Sequence, residues 1–135
     1  MAENFTILVV DDEEVLRQGC SRVLQSEGFH PITAANGREA LDRLASETVH
    51  VVLCDLKMPV MGALEVLEEA GVRYPDIPVI IMTGLGTVAD AVECMKKGAY
   101  DFITKPFRKE TILITIRRGL EWKRMQGELA ALKNQ

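Results

Sequence analysis

A chain of 135 residues, 47% hydrophobic and 27% charged, has the size and balance of one globular domain with a real core. Its net charge of -4 argues against a dominant nucleic-acid surface. No apolar run reaches the roughly 20 residues that span a bilayer, and the start, MAENFTILVVDDEE, lacks the basic n-region of a signal peptide. Cys20, Cys54 and Cys94 form no C-x-x-C pair, which speaks against a disulfide framework or a zinc site and for a reducing, cytoplasmic setting.

Apolar periodicity alternates between two kinds of segment along the chain. Phe5 to Val10 is a short run rich in β-branched residues, hence a strand. Val15, Leu16, Val23 and Leu24 fall at helical spacing, and Gly28 ends that helix. Pro31 to Ala34 reads as a second strand, Asn36-Gly37 as a turn, and Ala40, Leu41 and Leu44 as a short helix. His50 to Cys54 is a fully apolar strand; a loop with Pro59 leads to a helix near Leu64 to Ala70. Pro78 to Met82 is a fourth strand, Val88 to Met95 a helix stopped by Gly98, and Asp101 to Thr104 a short fifth strand. A long helix starts near Arg108.

Five β–α units result. Strands that are apolar throughout belong to a sheet buried on both faces, hence parallel. The expected architecture is a doubly wound α/β sandwich with helices on both faces, and flavodoxin-like strand order 2-1-3-4-5 is the expected order. In such a sheet ligands bind outside the carboxyl ends of the strands. Asp11 and Asp12 follow strand one, Asp55 strand three, Thr83 strand four and Lys105 strand five.

Three carboxylates crowded into one pocket repel one another, so either their pKa values rise or a cation sits among them. Oxygen ligands suit a hard cation, and Mg²⁺ needs only one to three of them from protein because it keeps several waters. A carboxylate beside such a cation can act as a nucleophile toward a phosphoryl group. Lys105 would pair with the phosphoryl oxygens, and Thr83 would donate a hydroxyl hydrogen bond. Taken singly, each residue has a plainer reading. Asp11-Asp12 could cap the helix that the DDEE run opens, Asp55 could be a loop carboxylate, Thr83 a strand-end hydroxyl and Lys105 a solvated charge. Their joint placement at the ends of four strands favours the site.

The segments ILVVDDEE, VVLCDLKMP, VIIMTG and GAYDFITKPF, in this order, resemble bacterial two-component response-regulator receiver domains of the CheY-like type over residues from about 4 to 122. The resemblance implies a phosphoacceptor signalling domain rather than an enzyme acting on a separate substrate. Asp55 matches the phosphoacceptor. Asp12 would ligate Mg²⁺ directly, Asp11 would hold the metal's water shell, and the backbone carbonyl of Lys57 would complete the protein ligands. Thr83 matches the hydroxyl that moves toward the phosphoryl group, and Tyr100 the aromatic that turns inward with it. Lys105 matches the family's lysine, and its bond to Pro106 is expected to be cis. Positions 57 and 85, two beyond Asp55 and Thr83, tune dephosphorylation in the family. The sequence departs from the family after Met58-Pro59: where Gly-Met-Asp-Gly is usual, it has Val60-Met61-Gly62-Ala63, which bears on the loop shape and the cap of the third helix but on no ligand.

The resemblance further implies a sensor histidine kinase as donor and an output domain or downstream protein as receiver of the signal, contacted by the face around Thr87 to Ala99, strand five and Tyr100. Residues 1–122 form the receiver and 123–135 a helical extension or linker. Leu113, Ile116 and Leu120 make a packing stripe, which Trp122, Met125, Leu129 and Leu132 repeat on a shifted phase. That second set suits a homodimer as well as a helix folded back on its own domain. Arg117, Arg118, Lys123 and Arg124 read as a solvated helix face, not a nucleic-acid contact. The tail stops mid-pattern, and the chain is similar to receivers of multidomain regulators such as the enhancer-binding activators. Competing readings are weaker. A haloacid-dehalogenase-type phosphatase would need D-x-D in place of Asp11-Asp12. A flavodoxin would not set DDEE against a flavin phosphate. A phosphorylation-independent interaction module rests on the Val60–Ala63 departure alone.

Overall fold

The structure is a computed structural model that describes residues 4–56, 58, 60–84, 88–106 and 108–133, the side chains of 88 and 133 excepted. Strands and helices alternate: β1 (Thr6–Val10), α1 (Glu14–Ser26), β2 (His30–Ala34), α2 (Gly37–Ser46), β3 (Val51–Asp55), α3 (Ala63–Arg73), β4 (Val79–Thr83), α4 (Val88–Lys96), β5 (Asp101–Thr104) and α5 (Lys109–Lys133). The five strands form one parallel sheet in the order β2-β1-β3-β4-β5, the order expected from the sequence.

Each apolar strand serves two cores, because successive side chains point to opposite faces. On one face Leu8, Val10, Val52, Cys54, Val79 and Ile81 pack against Ala40 and Leu44 of α2, Leu67 and Ala70 of α3 and Cys94 of α4. On the other, Ile7, Val9, Val51, Leu53, Ile80 and Met82 meet Cys20 and Leu24 of α1 and Ile112, Leu113 and Ile116 of α5. The outer strand β2 buries Ile32 and Ala34, leaves Pro31 and Thr33 partly buried, and tolerates Pro31, since it pairs with β1 alone.

Helix ends follow their local chemistry. Gly28 (φ 87°) and Gly98 (φ 108°) stop α1 and α4 in the left-handed region, where their N–H groups return to Gln25 and Met95 carbonyls. Asn36 caps α2 by accepting the Glu39 N–H at 2.9 Å. Gly37 beside it has no room for a side chain: a Cβ would stand 2.5 Å from the Met61 carbonyl oxygen, which accepts the Gly37 N–H at 3.0 Å.

Most element boundaries agree with the sequence to within a residue or two. One shift matters. Strands β3 and β4 each run one residue further than the apolar pattern implies, so Asp55 and Thr83 are the last paired residues of their strands, opposite Met82 and Thr104. The strand-end side chains are thereby held by the sheet rather than by loops.

Candidate functional site

The carboxyl ends of β1, β3, β4 and β5 converge. One carboxylate oxygen each from Asp11, Asp12 and Asp55 lies within 4.8 Å of the others, with Asp11 buried, Asp55 half-buried and Asp12 exposed. Lys105 reaches in from the end of β5 and donates to Asp55 Oδ1 at 3.0 Å and Asp11 Oδ2 at 3.5 Å. The Lys105 backbone is fixed as well: its N–H donates to the Thr83 carbonyl at 2.6 Å, and the peptide bond to Pro106 is cis, as expected.

Asp11 serves two roles at once. Its Oδ1 accepts the Glu13 N–H at 2.9 Å beside the start of α1, while its Oδ2 faces Lys105. The N-cap of α1 is Glu13, without a side-chain cap bond, so Asp11 closes the turn ahead of the helix with one oxygen and faces Lys105 with the other, rather than capping α1 as the DDEE run allowed. Arg17 braces this turn by donating to the Asp11 carbonyl at 2.7 Å.

Burial raises the Asp55 pKa; the Lys105 hydrogen bond opposes that rise, and the charges of Asp11 and Asp12 add to it. Burial also works against the Lys105 ammonium, but the hydrogen bond to Asp55 and the charges of Asp55 and Asp11 outweigh it and hold its pKa above the ordinary lysine value. Three carboxylates thus share one described ammonium, an excess of negative charge that suits a hard cation with oxygen ligands. Lys57, whose carbonyl is the remaining expected ligand, lies outside the described residues, as do positions 85 and 87.

Thr83 is fully buried, and its hydroxyl has no hydrogen-bond partner among the described residues. Such a group ordinarily costs about 1–3 kcal/mol. Strand alternation puts Thr83 on the face of Val79 and Ile81.

Tyr100 is not brought to this site. It precedes β5, its N–H donates to the Val79 carbonyl at the opposite end of β4 from Thr83, and its ring packs on the α1/α5 core. The aromatic that shares Thr83's face is Phe102, half-buried against the α4 side and opposite Ile81 in the ladder. The segment GAYDFITKPF holds three aromatics, of which Phe107 lies outside the described residues, and proximity to Lys105 does not choose between Tyr100 and Phe102. Counting back two residues from Thr104, the ladder partner of Thr83, does.

The Val60–Ala63 departure is visible in the backbone. Val60 stands in the left-handed region (φ 71°), where a β-branched residue is strained. Gly62 caps α3 without a side-chain hydrogen bond. The loop keeps a glycine-type conformation without the glycine.

Comparison with known proteins agrees with this architecture. The putative NtrX-like response regulator of Rickettsia bellii (strain RML369-C) is 41% identical over 133 residues, covering 95% of this chain but 27% of its own length. NtrX from Brucella abortus, solved in complex with ADP, superposes with a TM-score of 0.92 at 31% identity, over 96% of this chain and 30% of that one. A receiver domain protein from Clostridium thermocellum superposes at 0.86 with 31% identity, over 90% of this chain and 98% of that one. The chain thus spans about a quarter of the curated relatives it matches, and nearly the whole of a solved receiver. The profile of the response regulator receiver domain covers residues 7–117; with the sheet order and the acidic pocket already described, the chain belongs to the response-regulator receiver domains of two-component systems.

Proposed function

We propose that Asp55 accepts a phosphoryl group from a histidine kinase and that Asp11 and Asp12, with the Lys57 carbonyl, hold a Mg²⁺ ion beside it. The observation that carries this reading is the Lys105 ammonium, which bridges Asp55 and Asp11 at 3.0 and 3.5 Å in a cluster with Asp12. The Asp55 carboxylate attacks phosphorus while the P–N bond of the donor ring, protonated on its other nitrogen, breaks and its electron pair returns to the ring, leaving an acyl phosphate and a neutral imidazole. Bound Mg²⁺ supplies charge neutralisation for the transferring group. Lys105 holds the acceptor oxygen before transfer and turns to the phosphoryl oxygens after it. The orphan Thr83 hydroxyl donates to the same group, and the space it leaves admits Phe102. The protein then acts as a switch, its only catalysis being its own phosphorylation and dephosphorylation.

The output follows from the new charge, about −1.5 to −2. The α4–β5 face would change with Thr83 and Phe102, altering contact with an output domain or downstream protein. The extension over residues 123–135, helical as far as Lys133, serves as a linker to that output, and Met125, Leu129 and Leu132, exposed at 46%, 50% and 64%, form the stripe for a homodimer. No nucleic-acid contact is assigned to the basic residues of α5: Arg117 pairs with Glu27, Lys123 with Asp76, and Arg124 with Glu121 and Glu128. The reading fits a cytoplasmic protein, and no helix among the described residues is long and apolar enough to cross a membrane.

The test is intact mass after incubation with acetyl phosphate and Mg²⁺, beside Asp55→Asn. One added phosphoryl group, absent from the variant and with EDTA, supports the reading. A folded, Mg²⁺-loaded chain that takes none from acetyl phosphate or from a phosphorylated kinase overturns it.

A further inference from the structure

The base of the molecule, away from the acidic pocket, carries a seat for α5. Gly119 lies against the α3–β4 connection, where a Cβ would stand 3.3 Å from Pro78 Cγ. One turn on, the Trp122 ring rests on Tyr100, centroids 5.7 Å apart and planes tilted by 48°. Lys123 then donates to Asp76 Oδ2 at 3.0 Å. Beyond these three anchors the apolar residues of the helix are exposed. The direction in which α5 leaves the domain is therefore set at residues 119–123.

The seat and the acidic pocket are the two ends of one short strand. β5 is four residues long, flanked by Tyr100 at its start and Lys105 at its end, a span of about 17 Å. It is the edge of the sheet and pairs only with β4, so no strand restrains it on its outer side. The seat is also incompletely filled: a cavity of about 300 Å³ lies against it, lined by Leu67, Tyr74, Lys97, Tyr100 and Trp122 among others. This pocket opens to solvent on one side, and it gives the two rings room to repack.

We propose that Trp122 senses the phosphorylation state of Asp55 through β5 and resets the exit direction of α5. The inference rests on the phosphoacceptor reading. Lys105 leaves its carboxylate partners for the phosphoryl oxygens, β5 follows, Tyr100 moves at the far end of the strand, and Trp122 repacks into the cavity. From Trp122 the helix continues for eleven residues to Lys133, about 16 Å, so a small tilt at the seat becomes a larger displacement at its end.

Trp122 is the chain's single tryptophan, so its fluorescence reports the seat alone. Emission is recorded during treatment with acetyl phosphate and Mg²⁺, with intact mass on the same samples and hydrogen–deuterium exchange over residues 118–133. The expected result is a change in emission that rises in proportion to the adduct and a matching change in exchange, both absent from Asp55→Asn. Tyr100→Ala should form the adduct as before and lose the emission response. Asp76→Asn, a surface change that leaves the core intact, should speed exchange of residues 118–133 about two- to five-fold without phosphoryl and shrink the difference phosphorylation makes. Full adduct by mass with unchanged emission and exchange overturns the inference and leaves the phosphoacceptor reading standing. Absence of adduct on folded protein overturns both, and the mass spectrum tells the two failures apart.

Discussion

Thr83 combines a fully buried side chain with an unpartnered hydroxyl. Thr83→Val keeps the shape and removes the orphan group, so the unphosphorylated variant should gain about 1 kcal/mol over the parent chain in urea unfolding, while the coupling of phosphorylation to the α4–β5 face is lost. A less stable variant would mean that the hydroxyl has a partner. Asp55 makes the companion case in charge. Because burial raises its pKa above the unfolded value, the folded state binds the proton more readily. That contribution is fully present below the ordinary carboxylate pKa of about 3.9 and is lost as pH rises through the raised value. Asp55→Asn removes the ionisation. It should melt higher than the unmodified chain at neutral pH without Mg²⁺, and the gap should close on acidification. A gap that widens instead would contradict the assigned cause. These residues were legible in the sequence, because a strand-end position in a parallel sheet dictates where they go. Tyr100 was not, because the face an aromatic takes depends on the strand register and on where β5 begins.

The connection from β3 to α3 and the start of α2 behave as one unit, joined by the Gly37 N–H on the Met61 carbonyl. Val60→Gly should relieve the left-handed strain, roughly 1–2 kcal/mol for a residue with a Cβ. The freedom glycine gains in the unfolded chain takes back about 0.5–1 kcal/mol. A net gain of about 0.5–1 kcal/mol is expected in denaturant melts; a loss would show that the exposed valine side chain holds the loop. Gly37→Ala should cost about 1–3 kcal/mol, because backbone rather than a flexible side chain stands 2.5 Å from the new Cβ. Equal stability of the alanine variant would show that the loop moves freely. The sequence announced that this loop departs from the family pattern and left its shape open. Only the backbone reveals that the chain keeps the turn at a cost in strain.

The doubly wound architecture was readable in the apolar pattern, whereas the strand order was an expectation that the pattern alone did not fix. Apolar strands without alternation demand cover on both faces, and short β–α units then leave few arrangements. What the pattern blurred was the end of α5, where one helix runs unbroken through the boundary set at residue 122. Lys123 still bonds to Asp76, whereas Met125, Leu129 and Leu132 face solvent. If that stripe pairs two copies, sedimentation should show a dimer that Leu129→Glu with Leu132→Glu converts to monomer, while the adduct on Asp55 forms as before. A monomer at high concentration in the parent chain would instead reduce the extension to a spacer.

The salt bridge from Lys105 to Asp11 joins residues 94 positions apart, and that to Asp55 joins residues 50 apart. On the phosphoacceptor reading, a growing polypeptide therefore owns its acceptor aspartate long before the lysine that pairs with it, and a copy cut short before Lys105 should gain no mass from acetyl phosphate and Mg²⁺.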